Sequence, residues 1–189
     1  MEDIVAGFIG FGFIGGSIGK ALRELHPNSR IIAWEHGRGE ENLLLAQREH
    51  IVDEVCTGLS ESLSYCDIIF LCAPVLANID YLKTLKGIMK PSCILTDVGS
   101  VKGSIHKAVT LLELDGNFIG GHPMAGSEQG GYLNSNSKLL ENAYYILTPT
   151  DKTPGKMVDF LYQLISDMGA LPLILDAKEH DNIVAAISH

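Results

Sequence analysis

Apolar and polar residues follow one repeating pattern along this chain. Short apolar runs alternate with longer stretches in which apolar residues recur every three or four positions, so the runs predict strands and the stretches predict helices. The predicted strands are 4–9, 31–34, 67–74, 93–98, 117–121, 143–148 and 171–175, and residues 122–128 are predicted to be a loop. Strands alternating with helices indicate an α/β fold: a doubly wound, mostly parallel sheet with helices on both faces.

The first predicted strand leads into a glycine-rich turn and then into a helix. Between strand and helix, the spacing Gly-x-Gly-x-x-Gly is typical of dinucleotide-binding, Rossmann-like folds. Gly12 has no Cβ, so a pyrophosphate can approach the backbone, and the N-terminus of the helix attracts its negative charge. The residues expected to bind a dinucleotide cofactor here are Gly10, Phe11, Gly12, Phe13, Ile14 and Gly15.

The second predicted strand ends at Glu35, which lies 20 residues after Gly15. A carboxylate at this point accepts hydrogen bonds from ribose hydroxyls and repels a 2′-phosphate, which favours NAD over NADP as the cofactor. Arg38 follows shortly afterwards, and an arginine near this point can also serve a 2′-phosphate. The sequence therefore predicts NAD and leaves NADP open.

Further candidate residues follow the ends of later strands, where a doubly wound sheet holds its ligands. The additional cofactor contacts expected there are Ala73, Pro74 and Gly99. Ser100, His122 and Glu128 are the polar candidates. An imidazole is suited to take a proton from an alcohol as hydride leaves its carbon, so His122 is the candidate base and Ser100 could hold its tautomer. In the helix after Ser100, Val101 is expected to face the core.

Composition narrows the class of protein. The 189 residues are 46% hydrophobic and 20% charged, as in globular proteins. The net charge is −9 and no basic stripe occurs, so we expect no nucleic-acid partner. The uncharged stretch 4–19 is too short and glycine-rich to span a membrane, so no membrane association is expected. The four cysteines form no CxxC pair and the histidines show no metal spacing, which predicts reduced thiols, no bound metal and a cytoplasmic protein.

The last predicted helix starts near Asp176 and Glu179, which are spaced like a capping pair. Its apolar residues are Ile183, Val184 and Ile187. No glycine, proline or polar tail closes this helix before His189. We therefore expect residues 1–175 to form a dinucleotide-binding domain and residues 176–189 to be the first helix of a truncated C-terminal helical domain.

Five segments together resemble the prephenate dehydrogenase family. They are GFGFIGGSIGKAL, DIIFLCAPV, DVGSVK, GGHPMAGSEQGG and EHDNIVAAISH, and they span nearly all of the chain. GGHPMAGSE and DVGSVK are far more specific than the glycine motif. The resemblance implies an NAD-dependent enzyme of tyrosine biosynthesis that converts prephenate into 4-hydroxyphenylpyruvate by oxidative decarboxylation. It also implies a homodimer formed through the C-terminal helical domain.

The resemblance assigns roles to individual residues. His122 matches the family's catalytic histidine, which assists deprotonation of the ring hydroxyl. Ser100 matches the serine that positions this histidine and the substrate. The substrate contacts that the resemblance implies are Ser100, His122, Ser127, Glu128 and Ser188. In the family, an arginine of the second domain binds a substrate carboxylate, and that arginine would lie beyond His189.

Three other interpretations stay open from the sequence. Arogenate, which has an amino group where prephenate has a keto group, is an alternative substrate within the same family. Another Rossmann-type dehydrogenase, such as a β-hydroxyacid dehydrogenase, would use the same glycine motif. A non-enzymatic nucleotide-binding module is the third, because these 189 residues do not contain a complete substrate pocket.

Overall fold

The computed structural model describes residues 3–127 and 129–187. The strands in these two ranges are β1 (Val5–Ile9), β2 (Arg30–Trp34), β3 (Glu54–Val55), β4 (Ile68–Leu71), β5 (Ile94–Asp97), β6 (Phe118–Pro123), β7 (Tyr144–Pro149) and β8 (Leu171–Ile174). The α-helices are α1 (Phe13–Leu25), α2 (Glu40–Arg48), α3 (Val75–Ile88), α4 (Gly103–Leu111), α5 (Gly155–Asp167) and α6 (Ala177–Ile187). The predicted alternation of strands and helices is confirmed, and the very short β3 is an addition to it.

The strands form one sheet in the order β3-β2-β1-β4-β5-β6-β7-β8. Every neighbouring pair is parallel except β6 and β7, which are antiparallel. A parallel return needs a crossover, usually through a helix, whereas the described part of the connection 124–143 contains only a 3-10 turn at Tyr132–Asn134. The prediction of a doubly wound, mostly parallel sheet is confirmed, with β7 and β8 running opposite to the other six strands.

Two apolar layers cover the two faces of the sheet. β4 shows why its sequence reads as a continuous apolar run, since Ile68 and Phe70 enter one layer and Ile69 and Leu71 enter the other. Helices α1, α2 and α5 contribute to the first layer, and α3 and α4 contribute to the second. Both faces of the central strands are therefore buried, and ligands of doubly wound sheets bind at the edge formed by the carboxyl ends of the parallel strands.

Helix α6 follows the last strand and lies against α4 and β7. Its start is confirmed, because Asp176 Oδ1 accepts hydrogen bonds from the backbone N–H groups of Lys178 at 2.8 Å and Glu179 at 3.2 Å. Ile183 is 41% exposed on the outer side of this helix. Within the two described ranges, no helix has the length and apolar character needed to cross a membrane.

Candidate functional site at the carboxyl edge of the sheet

The glycine loop connects β1 to α1 at the carboxyl edge. Gly10 has φ +89°, and a Cβ there would lie 2.8 Å from the backbone nitrogen of Ala73. A Cβ on Gly15 would lie 2.6 Å from the carbonyl oxygen of Gly10. These two glycines are therefore required by the fold itself. A Cβ on Gly12 would meet nothing within 4 Å, so the protein's own packing does not explain this glycine.

The N-terminus of α1 is open to a ligand. Gly12 is its N-cap and provides no side-chain hydrogen bond, and the first turn contains no acidic residue. Backbone N–H groups in the first turn of a helix have no intrahelical partner, and the helix dipole places partial positive charge there. The open space at Gly12 and this uncapped helix end together fit the pyrophosphate of a dinucleotide.

A cavity of about 270 Å³ lies beside this loop. Its lining includes Gly10, Gly12, Trp34, Glu35, Ala73, Pro74 and Tyr81. Trp34 and Tyr81 meet edge to face with ring centroids 5.1 Å apart and form an aromatic wall. The structure thus brings together the glycine loop, Glu35 and the Ala73-Pro74 segment, which were predicted separately from three parts of the sequence.

Glu35 is oriented by the glycine loop. Its Oε2 atom accepts a hydrogen bond from the backbone N–H of Phe11 at 2.9 Å. A Cβ on Gly39 would lie 2.2 Å from the Glu35 carboxyl carbon, so the chain after β2 folds closely around this side chain. The carboxylate is held at the wall of the cavity, where a bound ribose would meet it.

Asn78 holds the Ala73-Pro74 segment in place and was not predicted as a site residue. Its side-chain Nδ2 donates hydrogen bonds to the carbonyl oxygens of Leu71 at 3.1 Å and Ala73 at 2.8 Å. The side chain is fully buried. A polar residue among the apolar positions of the predicted helix after Pro74 was the signal that could have identified it.

A buried ion pair supports the turn between β5 and α4. Lys102 Nζ lies 2.5 Å from Asp97 Oδ2 and donates a second hydrogen bond to the carbonyl oxygen of Gly121 at 2.7 Å. Both charged side chains have no exposed surface. Burial lowers the pKa of the Lys102 ammonium, and the neighbouring Asp97 carboxylate opposes this shift. The pair joins the DVGSVK turn to the strand that carries His122.

The expectation for Val101 is wrong. Val101 is 48% exposed, whereas Lys102 next to it is fully buried. The reason is that α4 begins only at Gly103, so Val101 belongs to the preceding turn rather than to the inward face of the helix. Asp97 supplies the partner that makes burial of a lysine possible.

His122 lies at the carboxyl end of β6 and is half-buried. Its Nδ1 atom is 2.8 Å from Nε2 of His180 on α6. His180 is fully buried, and its Nδ1 atom is 2.8 Å from Asp181 Oδ1. His180 was not predicted as a site residue, although an adjacent His-Asp pair at the start of a helix with an apolar face was an available signal.

Asp181 connects α6 to the start of α4. Its two carboxylate oxygens accept hydrogen bonds from the backbone N–H groups of Lys102 and Gly103, each at 2.8 Å. Burial alone would raise the pKa of the Asp181 carboxyl, but the hydrogen bonds from Lys102, His180 and Gly103 hold it below its usual range. Asp181 is therefore ionised at neutral pH.

The surroundings of His122 keep its imidazole neutral. Burial is the largest cause, followed by the nearby His180 and Lys102, and together they lower the pKa of His122 to about 4 against the opposing charge of Asp181. At neutral pH, the ring therefore has one nitrogen free of hydrogen. Such a ring can accept a proton from a neighbouring hydroxyl.

The structure shows the positions of two of the other predicted substrate contacts, Ser100 and Ser127. Ser100 is exposed and directly follows Gly99, whose backbone N–H donates to Asp97 Oδ2 at 3.0 Å. The hydrogen-bond partner that the structure gives the His122 ring is His180 rather than Ser100. Ser127 is exposed. The roles of Ser100 and Ser127 in substrate binding stay predictions, and Glu128 and Ser188 lie outside the described residues.

The cysteines and histidines of the described chain form no metal-binding cluster with its carboxylates. Cys66 and Cys93 are buried, and burial raises the pKa of each thiol to about 12. Burial also raises the pKa of Cys72, which lines the cavity beside the glycine loop. These thiols are protonated and therefore unreactive at neutral pH.

The fold and the glycine loop define a nucleotide-binding domain of the doubly wound α/β class. Residues 18–173 match the family model described as "Prephenate dehydrogenase, nucleotide-binding domain". The chain therefore belongs to the prephenate dehydrogenase family. The family predicted from the sequence is therefore confirmed.

Individual relatives agree with this assignment. The chain is 36% identical over 188 residues to the prephenate dehydrogenase of Lactococcus lactis, a match that covers 96% of this chain and 49% of that protein. The crystal structure of Aquifex aeolicus prephenate dehydrogenase in complex with hydroxyphenyl propionate and NAD+ superimposes with a TM-score of 0.88 at 30% identity, covering 97% of this chain and 63% of that one. Synechocystis arogenate dehydrogenase gives a TM-score of 0.90 at 32% identity, covering 98% and 64%. The chain spans about half the length of the curated relative it matches.

Proposed function

We propose that this chain is the NAD-binding part of an enzyme that converts prephenate into 4-hydroxyphenylpyruvate by oxidative decarboxylation. One observation carries the proposal: in a member of this family, a neutral imidazole stands at the carboxyl end of β6, on the same sheet edge as an open dinucleotide loop. The A. aeolicus relative that binds NAD+ supports the choice of cofactor. The family match and the prephenate dehydrogenase relative support the choice of substrate.

The cofactor contacts follow from the geometry of the cavity. The N–H groups at the start of α1 bind the pyrophosphate, for which Gly12 leaves room. Glu35 accepts hydrogen bonds from the ribose hydroxyls, and its charge repels the 2′-phosphate of NADP. Ala73 and Pro74, held by Asn78, cover the cofactor from the end of β4. NAD, when bound, supplies the acceptor for the hydride.

His122 carries the proton transfer. Its unprotonated nitrogen accepts the proton of the substrate's ring hydroxyl as hydride leaves the ring carbon that bears this hydroxyl. The ring carboxylate then leaves as CO2, and its bonding electrons complete the aromatic ring. His122 returns the proton to the oxygen, which becomes the phenol of the product. The protein aligns the two reactants and holds one proton, while aromatisation provides the driving force.

Residues 176–189 are, in this proposal, the start of a second helical domain that completes the substrate pocket and forms a homodimer. The exposed Ile183 on α6 and the length of the relatives support this division. Sedimentation of the 189-residue chain and of a version extended past His189 tests it. A dimer of the extended version is expected, and the exposed Ile183 should make the 189-residue chain prone to association. A monomer in both cases contradicts the proposal. The predicted cytoplasmic location and role in tyrosine biosynthesis belong to the same proposal.

Turnover with two substrates tests the proposed activity. Prephenate and arogenate are each mixed with NAD and the extended protein, and formation of reduced nicotinamide is followed by its absorbance. We expect prephenate to be the better substrate and His122→Asn to abolish most of the activity. Preference for arogenate assigns the chain to the other substrate of the family. Undiminished activity of His122→Asn favours a different dehydrogenase mechanism, and NAD binding without any turnover favours a non-enzymatic nucleotide-binding module.

A further inference from the structure

A chain of hydrogen bonds leads from His122 into the protein. His122 Nδ1 contacts His180 Nε2, and His180 Nδ1 contacts Asp181 Oδ1, both at 2.8 Å. Asp181 in turn accepts the backbone N–H groups of Lys102 and Gly103 at the start of α4. Since His180 is fully buried, neither of its ring nitrogens relies on solvent for a partner.

The chemistry of these groups determines where each hydrogen lies. An ionised carboxylate only accepts hydrogen bonds, so Nδ1 of His180 must carry the hydrogen that points to Asp181. In a neutral His180, Nε2 then has a lone pair and accepts a hydrogen bond. Its partner, Nδ1 of His122, must donate that bond and therefore carries the hydrogen of the His122 ring. The nitrogen left unprotonated on His122 is Nε2.

We propose that His180 is a positioning residue, which with Asp181 holds His122 in the tautomer whose Nε2 is unprotonated and free to accept the substrate proton. This is the arrangement in which a second group orients a catalytic imidazole through its other nitrogen. Its importance for catalysis rests on the proposed role of His122 as the base. The tautomer itself is a property of the folded chain and is measured without substrate.

The arrangement also gives α6 a function in the site. Asp181 attaches this helix to the N-terminus of α4, and His180 carries the connection on to β6. The rings of His122 and His180 meet edge to face with centroids 5.1 Å apart, which fixes the plane of the His122 ring as well as its tautomer. The base is thereby positioned by a helix that lies outside the nucleotide-binding layers.

Nitrogen-15 NMR of histidine-labelled protein tests the proposal directly. At neutral pH, Nδ1 of His122 is expected to resonate as a protonated nitrogen and Nε2 as an unprotonated one. His180→Gln keeps an acceptor oxygen for His122 and should preserve this pattern. His180→Leu removes the acceptor and should shift His122 toward the opposite tautomer. His106→Leu is the matched control, because His106 is a half-buried histidine on α4 that bonds Thr148 instead.

Kinetics of the extended protein provide the second readout. His180→Leu is expected to lower kcat about 10- to 100-fold, with little change in the KM for NAD, and His180→Gln to restore most of the loss. A His122 ring protonated at Nε2 in the unmodified chain overturns the proposal even if His180→Leu does not fold. An unchanged tautomer in folded His180→Leu also overturns it. The expected tautomer without any turnover contradicts the proposed activity and leaves the positioning role standing.

Discussion

Lys102 and Asp97 form an ion pair of 2.5 Å with no solvent-exposed side-chain surface, directly beneath the turn that leads to Ser100. The same ammonium holds the carbonyl oxygen of Gly121, one residue before His122. Asp97 completes the connection by accepting hydrogen bonds from the backbone N–H groups of Gly99 and Gly121. One buried pair therefore joins the DVGSVK turn to the strand that carries His122.

Replacing Lys102 with Met should destabilise the fold strongly. Asp97 would keep a buried negative charge without its partner, which costs about 3–5 kcal/mol in comparable cases. Urea denaturation gives the free energy of unfolding. Lys86→Met is the matched control, since its ion pair with Glu113 is exposed and contributes about 1 kcal/mol at most. Equal losses of stability in the two variants would contradict the importance of the buried pair.

Gly12 and Gly15 should respond differently to replacement by alanine. Gly15→Ala places a Cβ against the Gly10 carbonyl and should lower the melting temperature. Gly12→Ala meets open space, so we expect a stability change below about 1 kcal/mol together with a loss of about tenfold or more in NAD affinity. Thermal unfolding and calorimetric titration with NAD separate the two effects. Unchanged NAD binding by Gly12→Ala would show that the pyrophosphate does not bind against this loop.

Glu35 should determine the preference for NAD over NADP. Glu35→Gln keeps an oxygen that can accept the Phe11 N–H but removes the negative charge, so NADP affinity should rise while the loop stays in place. Glu35→Ser also removes the loop contact and should weaken both cofactors. The ratio of the two dissociation constants is the quantity to measure. The same ratio in the unmodified protein and in Glu35→Gln would show that charge repulsion does not set the preference.

His122 should make the fold less stable as the pH falls. Its folded pKa of about 4 lies below the usual value of 6.5, so the unfolded chain takes up a proton over this range while the folded chain does not. Above pH 6.5, His122 is neutral in both states and does not lower the free energy of unfolding. As the pH falls from 6.5 toward about 4, the unfolded chain alone is protonated at this residue, and the free energy of unfolding decreases. His122→Gln should reduce the loss of unfolding free energy between about pH 7 and pH 5 by about 1–2 kcal/mol.

A control for this pH dependence is His36→Gln, which removes an exposed histidine near the glycine loop. Urea denaturation at several pH values measures both. If His122→Gln keeps the pH dependence of the unmodified protein, the folded pKa of His122 is close to its ordinary value.

Much of the fold was predictable because each central strand is covered on both faces. Such strands give continuous apolar runs, as at residues 68–71, whereas in the helices between them the apolar residues recur every three or four positions. The direction of β7 was not predictable in this way, since parallel and antiparallel strands have the same apolar pattern. It depends on the connection 124–143, in which the described residues form no α-helix.

The candidate site was predictable only for those residues whose role is indicated by a short local sequence motif. The glycine loop, Glu35 and His122 are each recognisable from a few neighbouring residues. Lys102 and His180 are not, because polar residues near helix starts are usually solvated and nothing in the local sequence indicates that these two side chains are fully buried. Burial and a hydrogen bond across 58 residues distinguish His180 from a surface histidine, and only the folded chain contains that information.

The measurement that most directly tests the proposed activity is the stoichiometry of its two products. Prephenate and NAD are mixed with the protein extended past His189, and released CO2 and reduced nicotinamide are quantified in the same sample. Equal amounts of both are expected, and almost none of either with His122→Asn. Reduced nicotinamide without CO2, or neither product despite demonstrable NAD binding, would contradict it.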